Sequence, residues 1–435
     1  MLQRVKVLTG AICAMALLAG SSFAQDAQVA TVIHAGRLLA DASNGRVLTE
    51  QSILVGADGR VIGVEAGYVT PAGAEIIDQR ARFVLPGLID SHVHLTGELG
   101  PNQLLEEVQL TASDAALRGA ENARKTLNAG FTTVADLGAA NDAIFALRRA
   151  IRENRVPGPR IIASGAAVTP HGGHADSNGF APEINYVLRN PNACSGADEC
   201  RRNTRRQIQA GADVIKITAT GGVLSNTAAG VGQQFSDAEY AAIVEAAHAM
   251  GRRVTAHAHG VDGINAALRA GVDSIEHGSY LDADSVRLLR QSDRYLVPTL
   301  LAGWWVGQLA EQGGVLTPAQ TDKARRVSVD MANMGRFARQ NRVRIAYGTD
   351  TGVSPHGMNA REFQLLVEAG FTPLQTLQMA TVNAADHLQL GDITGRIAAG
   401  YAADIIAVDG DPTQDVATLM TVPFVMARGT AFKND

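Results

Sequence analysis

"VLPGLIDSHVH", residues 84–94, is an apolar run that ends in two histidines one residue apart. Side chains at i and i+2 of a strand share a face, so His92 and His94 point the same way. Seven further short apolar runs follow: FTTVADLG (131–138), RIIASG (160–165), DVIKITATGG (213–222), RVTAHAHG (253–260), SIEHGS (274–279), YLVPTL (295–300) and RIAYGTDTG (344–352). Helical patterns separate them. "EEVQLTASDAALRGAENARKTLNAG" reads as helix as far as Gly130. "SDAEYAAIVEAAHAMG" starts at Ser236, has Glu239 three residues on, and closes at Gly251. This alternation predicts a (β/α)8 TIM-like barrel over residues 85–392. A doubly wound open sheet is the rival. No G-x-G-x-x-G follows a strand, which disfavours a dinucleotide-binding version.

The flanks have another texture. "VATVIHAGRLLA", "SILVGADGRVIGVEAG" and "AEIIDQRARFV" alternate apolar and polar residues, with Asp58-Gly59 as a hairpin signal. "TGRIAAGYAADIIAVDGDP" and "VPFVMARGTAFKND" do the same near the C-terminus. Residues 25–84 and 393–435 are therefore expected to pair into one small β-sandwich.

The chain has 435 residues, 46% hydrophobic and 19% charged, with a formal net charge of −5. It lacks a long basic run and an aromatic-plus-basic stripe, so nucleic acid is not an expected partner. Residues 1–24 read as a signal peptide. Arg4 and Lys6 precede a short apolar core, and Ser22 and Ala24 set a small-residue cleavage site. The expectation is a periplasmic or secreted protein, free of the membrane after cleavage. In such a compartment Cys194 and Cys200, six apart in a polar loop, suit a disulfide, the alternative being two free thiols.

In a (β/α)8 barrel the active site gathers at the C-terminal strand ends. There the sequence places His92, His94, Lys216, His257, His259, His277 and Asp350, with His171 and His174 in the loop after the third strand. Five of the eleven histidines lie on strand ends. Imidazole with carboxylate suits zinc and similar ions. Lys216, between Ile215 and Ile217, is costly to bury as an ammonium. At the metal level of the barrel its neutral amine can react with carbon dioxide to give a carbamate, an anionic ligand able to bridge two metals. The competing reading is a lysine that pairs with a carboxylate or reaches solvent.

Taken in order, "VLPGLIDSHVH", "DVIKI", "VTAHAHG", "SIEHG", "YGTDTG" and the tail "TGRIAAGYAADIIAVDGDP" resemble the amidohydrolase superfamily. "TPHGGHAD", "KITATGGVLS", "AHAHG" and "HGMNAREFQLLVEAGFTPLQTLQMATVNAA" resemble its prolidase-like and carboxypeptidase-like branch, which includes ochratoxin-degrading enzymes. The resemblance implies one zinc ion at His92, His94 and Asp350, a second at His257 and His277, and carboxylated Lys216 as the bridge. It implies that Asp350 shuttles protons and that His259 assists. His171, His174 and Tyr240 are candidate substrate contacts. The implied activity is hydrolysis of the amide bond to a C-terminal amino acid, in dipeptides, N-acyl amino acids or ochratoxin A. The implied assembly is a homo-oligomer, with octamers among relatives of the branch. The other enzyme reading is an imidazolonepropionase-like cyclic amide hydrolase or a deaminase with one metal.

Overall fold

The computed structural model describes residues 28–225 and 230–435, so the signal reading of residues 1–24 lies outside it. Strands β1 (Val29–Leu38), β2 (Leu48–Gly56), β3 (Val61–Ala66) and β4 (Glu75–Pro86) open the chain. The hairpin between β2 and β3 turns at Gly59, whose positive φ of 76° suits glycine. The stretch 84–94 is divided between two units. Val84, Leu85 and Pro86 finish β4, and β5 (Leu88–Val93) begins after Gly87. Gly87 donates its N–H to Asp404 O at 2.8 Å. A Cβ there would sit 2.6 Å from Thr132 Cγ2, so the Thr132 side chain fills the space that any other residue would need.

Parallel strands then alternate with helices: β6 (Phe131–Asp136), β7 (Arg160–Ala163), β8 (Ile215–Thr218), β9 (Val254–Ala258), β10 (Ser274–His277) and β11 (Tyr295–Val297). β5–β6–β7 form one sheet and β8–β9–β10–β11 another. Backbone hydrogen bonds continue the order beyond both sheets. Asp213 N donates to Ala163 O at 2.9 Å, Val168 N to Lys216 O at 2.9 Å, Leu296 N to Arg344 O at 2.9 Å and Ser91 N to Tyr347 O at 2.8 Å. The expected eighth strand, 344–352, makes only isolated parallel bridges at Ile345 and Thr351. Two features break it. Asp90 Oδ1 takes the Thr349 N–H at 3.1 Å, and Asp350 adopts φ 59°. The strand is given up where the backbone must turn Asp350 inward.

The helices follow the sequence cues with one correction. The long pattern ending at Gly130 is two helices, Gln103–Gln109 and Ala112–Asn128. Thr111 starts the second with a capping box to Asp114, and such a cap stops a helix running through it. Helix Asp237–Ala249 does begin after Ser236, whose N–H donates to Glu239 Oε2 at 2.8 Å. Among the described residues no helix is long and apolar enough to cross a membrane.

The chain ends in β12 (Ile405–Val408), β13 (Phe424–Ala427) and β14 (Thr430–Asn434). With the N-terminal strands they form one seven-stranded sheet, ordered β14–β13–β12–β4–β1–β2–β3. Both flanks do contribute to a separate sheet domain, but the two-sheet sandwich is corrected to a single sheet. β4 explains this: it pairs with β1 along most of its length and, over residues 83–86, with β12. Val61 N to Tyr401 O and Gly400 N to Val61 O, both 2.8 Å, curl the β3 edge back toward the segment entering β12. Ile33, Ile53, Val55, Val84, Ile405 and Phe424 are buried together in this sheet's own core, distinct from the main core around the parallel strands.

Candidate metal centre

His92 and His94 leave β5, Lys216 lies on β8, His257 and His259 leave β9, His277 ends β10, and Asp350 follows the broken eighth strand. The structure brings all seven together. The rings of His92 and His277 are 5.2 Å apart, and those of His257 and His277 are 4.6 Å apart. Lys216 Nζ lies 3.2 Å from His92 Nε2. The ligating atoms of His92, His94 and Asp350 lie within 4.8 Å of one another, and so do those of His257, His259 and His277. His259, expected only as an assisting residue, is therefore placed with the second group. His277 (φ 69°), Thr299 (φ 48°) and Asp350 (φ 59°) all hold left-handed backbone. Non-glycine residues adopt it at a cost of about 1–3 kcal/mol each, commonly at functional sites.

Each imidazole is held from behind. His92 Nδ1 meets Glu276 Oε2 at 2.8 Å, His94 Nδ1 meets Gly138 O at 2.9 Å, and His259 Nδ1 meets Ser279 Oγ at 2.6 Å. His277 Nδ1 lies 2.7 Å from Thr299 Oγ1, which donates its own proton to Pro298 O. His277 must then donate from Nδ1, and its Nε2 is left with a free lone pair. His94 must likewise donate from Nδ1, because a carbonyl only accepts. His257 is reversed: its Nε2 faces Gly221 O at 3.4 Å, which frees Nδ1.

Burial pushes the imidazoles of His92, His257 and His277 well below their usual range, and holds them neutral. Burial also lowers the Lys216 ammonium, which favours the neutral amine. Asp350 Oδ1 is buried without a hydrogen-bond partner, although His94 Nε2 is 3.1 Å and His92 Nε2 3.5 Å away. The contacts are close but out of line for N–H donation. Two imidazoles and a carboxylate converge here: burial holds His92 neutral, whereas at His94 burial is outweighed by the neighbouring Asp350 carboxylate, which raises the imidazole above its usual range. A divalent cation fits that donor set, and metal-ligating histidines characteristically have such rear partners.

Three further carboxylates support the site. Asp136 Oδ2 accepts Leu95 N–H at 2.7 Å beside the His94 turn. Asp90 holds Thr349 and Asn359 below Asp350. Glu276 backs His92. The sequence reading passed over all three. A signal existed for Glu276: like Lys216, it is a charged residue inside an apolar strand.

The cluster forms the floor of a cavity of about 940 Å³, whose walls include Leu104, Phe180, Leu188, Val306 and Met331. His174 reaches it. Its ring stacks on His257 at 4.2 Å, its Nδ1 is buried without a partner, and burial holds it down to about 3. His171 does not reach it: the side chain is half exposed and lies 3.6 Å from Glu199. Tyr240 is corrected as well. It is fully buried in its helix and donates its hydroxyl to Ala219 O at 2.8 Å, so it cannot meet a substrate carboxylate. Cys194 and Cys200 form a disulfide with a Cα–Cα distance of 5.2 Å. It ties the segment after the cavity wall to helix Ala197–Ala210.

Buried imidazoles, an inward carboxylate and a lysine thus lie together under an open cavity as a candidate metal centre. The chain belongs to the amidohydrolase family, whose sequence model matches residues 83–431. It is 33% identical over 377 residues to ochratoxinase from Aspergillus niger, covering 81% of this chain and 76% of that one. Its structure is similar to that of a Xaa-Pro dipeptidase with methionine bound in the active site. The two share 35% identity and a TM-score of 0.87, over 93% of this chain and 100% of the other. The structure of A. niger ochratoxinase is also similar, at 29% identity and a TM-score of 0.81, over 93% and 95% of the two chains.

Proposed function

We propose that this protein is a binuclear zinc amidohydrolase that cleaves the amide bond to a C-terminal amino acid. The parallel strands are read as a (β/α)8 barrel with its site at the C-terminal strand ends. His92, His94 and Asp350 would hold one ion, and His257 and His277 the second. Lys216, as a carbamate, would bridge them. The observation that carries this reading is the partnerless Asp350 Oδ1 facing two imidazole nitrogens.

When bound, the ions lower the pKa of water and polarise the scissile carbonyl. Asp350 accepts the proton as water attacks the carbonyl carbon, then passes it to the amine nitrogen as the C–N bond breaks. The products are a carboxylate and a free amine. The Ser279 hydroxyl can donate to His259 Nδ1, which leaves the Nε2–H of His259 to donate to the carbonyl oxygen. His174 contacts the substrate from the loop above His257.

The apolar wall suits a bulky acyl or side chain. Arg189 lines the same cavity, with its guanidinium over the Tyr186 ring at 4.8 Å, and supplies a cation for the substrate carboxylate. The relatives act in the same sense: an ochratoxinase and a Xaa-Pro dipeptidase both support an amide to a C-terminal amino acid. Ochratoxin A, cleaved to ochratoxin α and phenylalanine, is the specific substrate proposed. Export through residues 1–24 and homo-oligomeric assembly belong to the same proposal. A hydrolysis screen with zinc-loaded protein over N-acyl amino acids, Xaa-Pro and Xaa-Arg dipeptides and ochratoxin A tests it. Turnover of ochratoxin A and other aromatic amides is expected. No turnover across the panel would refute the reading.

A further inference from the structure

Glu276 is fully buried on β10 at the level of the cluster, yet it is neither a ligand nor a substrate contact in the reading above. Its Oε2 lies 2.8 Å from His92 Nδ1. Its Oε1 accepts from Thr255 Oγ1, and from Ser274 Oγ at 3.0 Å. Thr255 on β9 and Ser274 on β10 occupy the barrel layer beneath, two residues before His257 and Glu276 respectively. The carboxylate is thus fixed at both oxygens, by groups from three strands. On the other side of the ring, His92 Nε2 faces Lys216 Nζ at 3.2 Å and Asp350 Oδ1 at 3.5 Å.

We propose that Glu276 is a positioning residue: it accepts the Nδ1–H of His92 and so fixes the tautomer and ring plane that present Nε2 to the metal. The proposal rests on the reading of His92 as a metal ligand. The imidazole has two tautomers, and the hydrogen bond on one nitrogen decides which lone pair the other offers. A carboxylate cannot donate a proton it does not hold, so it selects Nδ1–H. Thr255 donates to Oε1, and the Ser274 hydroxyl reaches both Oε1 at 3.0 Å and Thr255 Oγ1 at 2.8 Å, which anchors the carboxylate with Oε2 facing His92 Nδ1. Without Glu276, His92 Nδ1–H would be buried with no partner, and its ring would be free to turn.

The test is zinc affinity of the full chain, measured by chelator competition, with thermal unfolding of the zinc-free protein alongside. Glu276→Gln keeps the shape and one carbonyl acceptor, and Glu276→Met removes both. Zinc binding is expected to weaken about 10-fold in Glu276→Gln and about 100-fold in Glu276→Met. The weaker loss with glutamine marks positioning through the acceptor. Zinc affinity within about twofold of wild type in both variants, even if both unfold at lower temperature, would overturn the proposal. Wild-type protein that binds no zinc in the same assay would overturn the metal reading itself. If Glu276→Met fails to fold, the isosteric glutamine variant still decides.

Discussion

Gly222→Ala should disable the substrate side of the site while leaving the metal side intact. Gly222 lies in the loop after β8, where its carbonyl accepts from Lys323 Nζ at 2.9 Å. A Cβ built there overlaps the His174 ring and sits 2.6 Å from both ring nitrogens. Non-bonded heavy atoms pack at about 3.5–4.0 Å, so the ring must retreat by roughly 1 Å. It cannot retreat onto His257, which is already stacked at 4.2 Å. The overpacking itself should cost about 1–3 kcal/mol of stability. A displacement of that size in a substrate-positioning group can cost up to about 100-fold in rate. The assay is steady-state hydrolysis of an N-acyl amino acid, with zinc content measured on the same samples. The expected result is kcat/KM lower by about 10- to 100-fold with zinc unchanged. His174→Ala should match it, and the double variant should lose nothing more. Gly222→Ala with kcat/KM within about twofold of wild type would show that the His174 ring does not meet the substrate.

Lys216→Ala should lose zinc and activity together, by about 100-fold or more in kcat/KM, and a small added carboxylate should partly restore both. Full metal content and turnover in that variant, read by elemental analysis and the same assay, would remove the bridging role. His387 gives a pH dependence, because burial pushes its imidazole down to about 4 from 6.5. The unfolded chain binds the extra proton between those values, so stability falls as pH drops from 6.5 toward 4, by on the order of 3 kcal/mol from this group. His387→Gln should flatten that acid limb in urea unfolding at pH 7.5 and 5, and an unchanged slope would refute the assignment.

Local periodicity and residue type made much of the site legible. His92 and His94 share a face because they are two apart in a strand. Lys216 stood out because an ammonium among isoleucines needs a reason. Glu276 posed the same puzzle two strands later, and the motif around it was read for its histidine alone. Thr299 and the left-handed turns at His277 and Asp350 carry no sequence mark, because backbone bent against preference depends on the tertiary setting. The same holds for the eighth strand. Its composition is that of a strand, but Asp90 on the adjacent β5 takes the Thr349 N–H. Tyr240 shows the opposite error: a hydroxyl that looked available was already used on the carbonyl of Ala219. The sheet domain was visible in both flanks, but its single curled sheet follows from the length of β4, which reaches partners from both ends of the chain.

The claim that metal held by the buried cluster is required for amide cleavage is tested most directly by zinc titration. The full chain is stripped with a chelator, desalted, and titrated with zinc while hydrolysis of an N-acyl-phenylalanine is followed. Activity should be absent at the start and rise to a plateau at two zinc ions per chain. A plateau at one would favour the single-metal reading, and undiminished hydrolysis by rigorously metal-free protein would contradict the account.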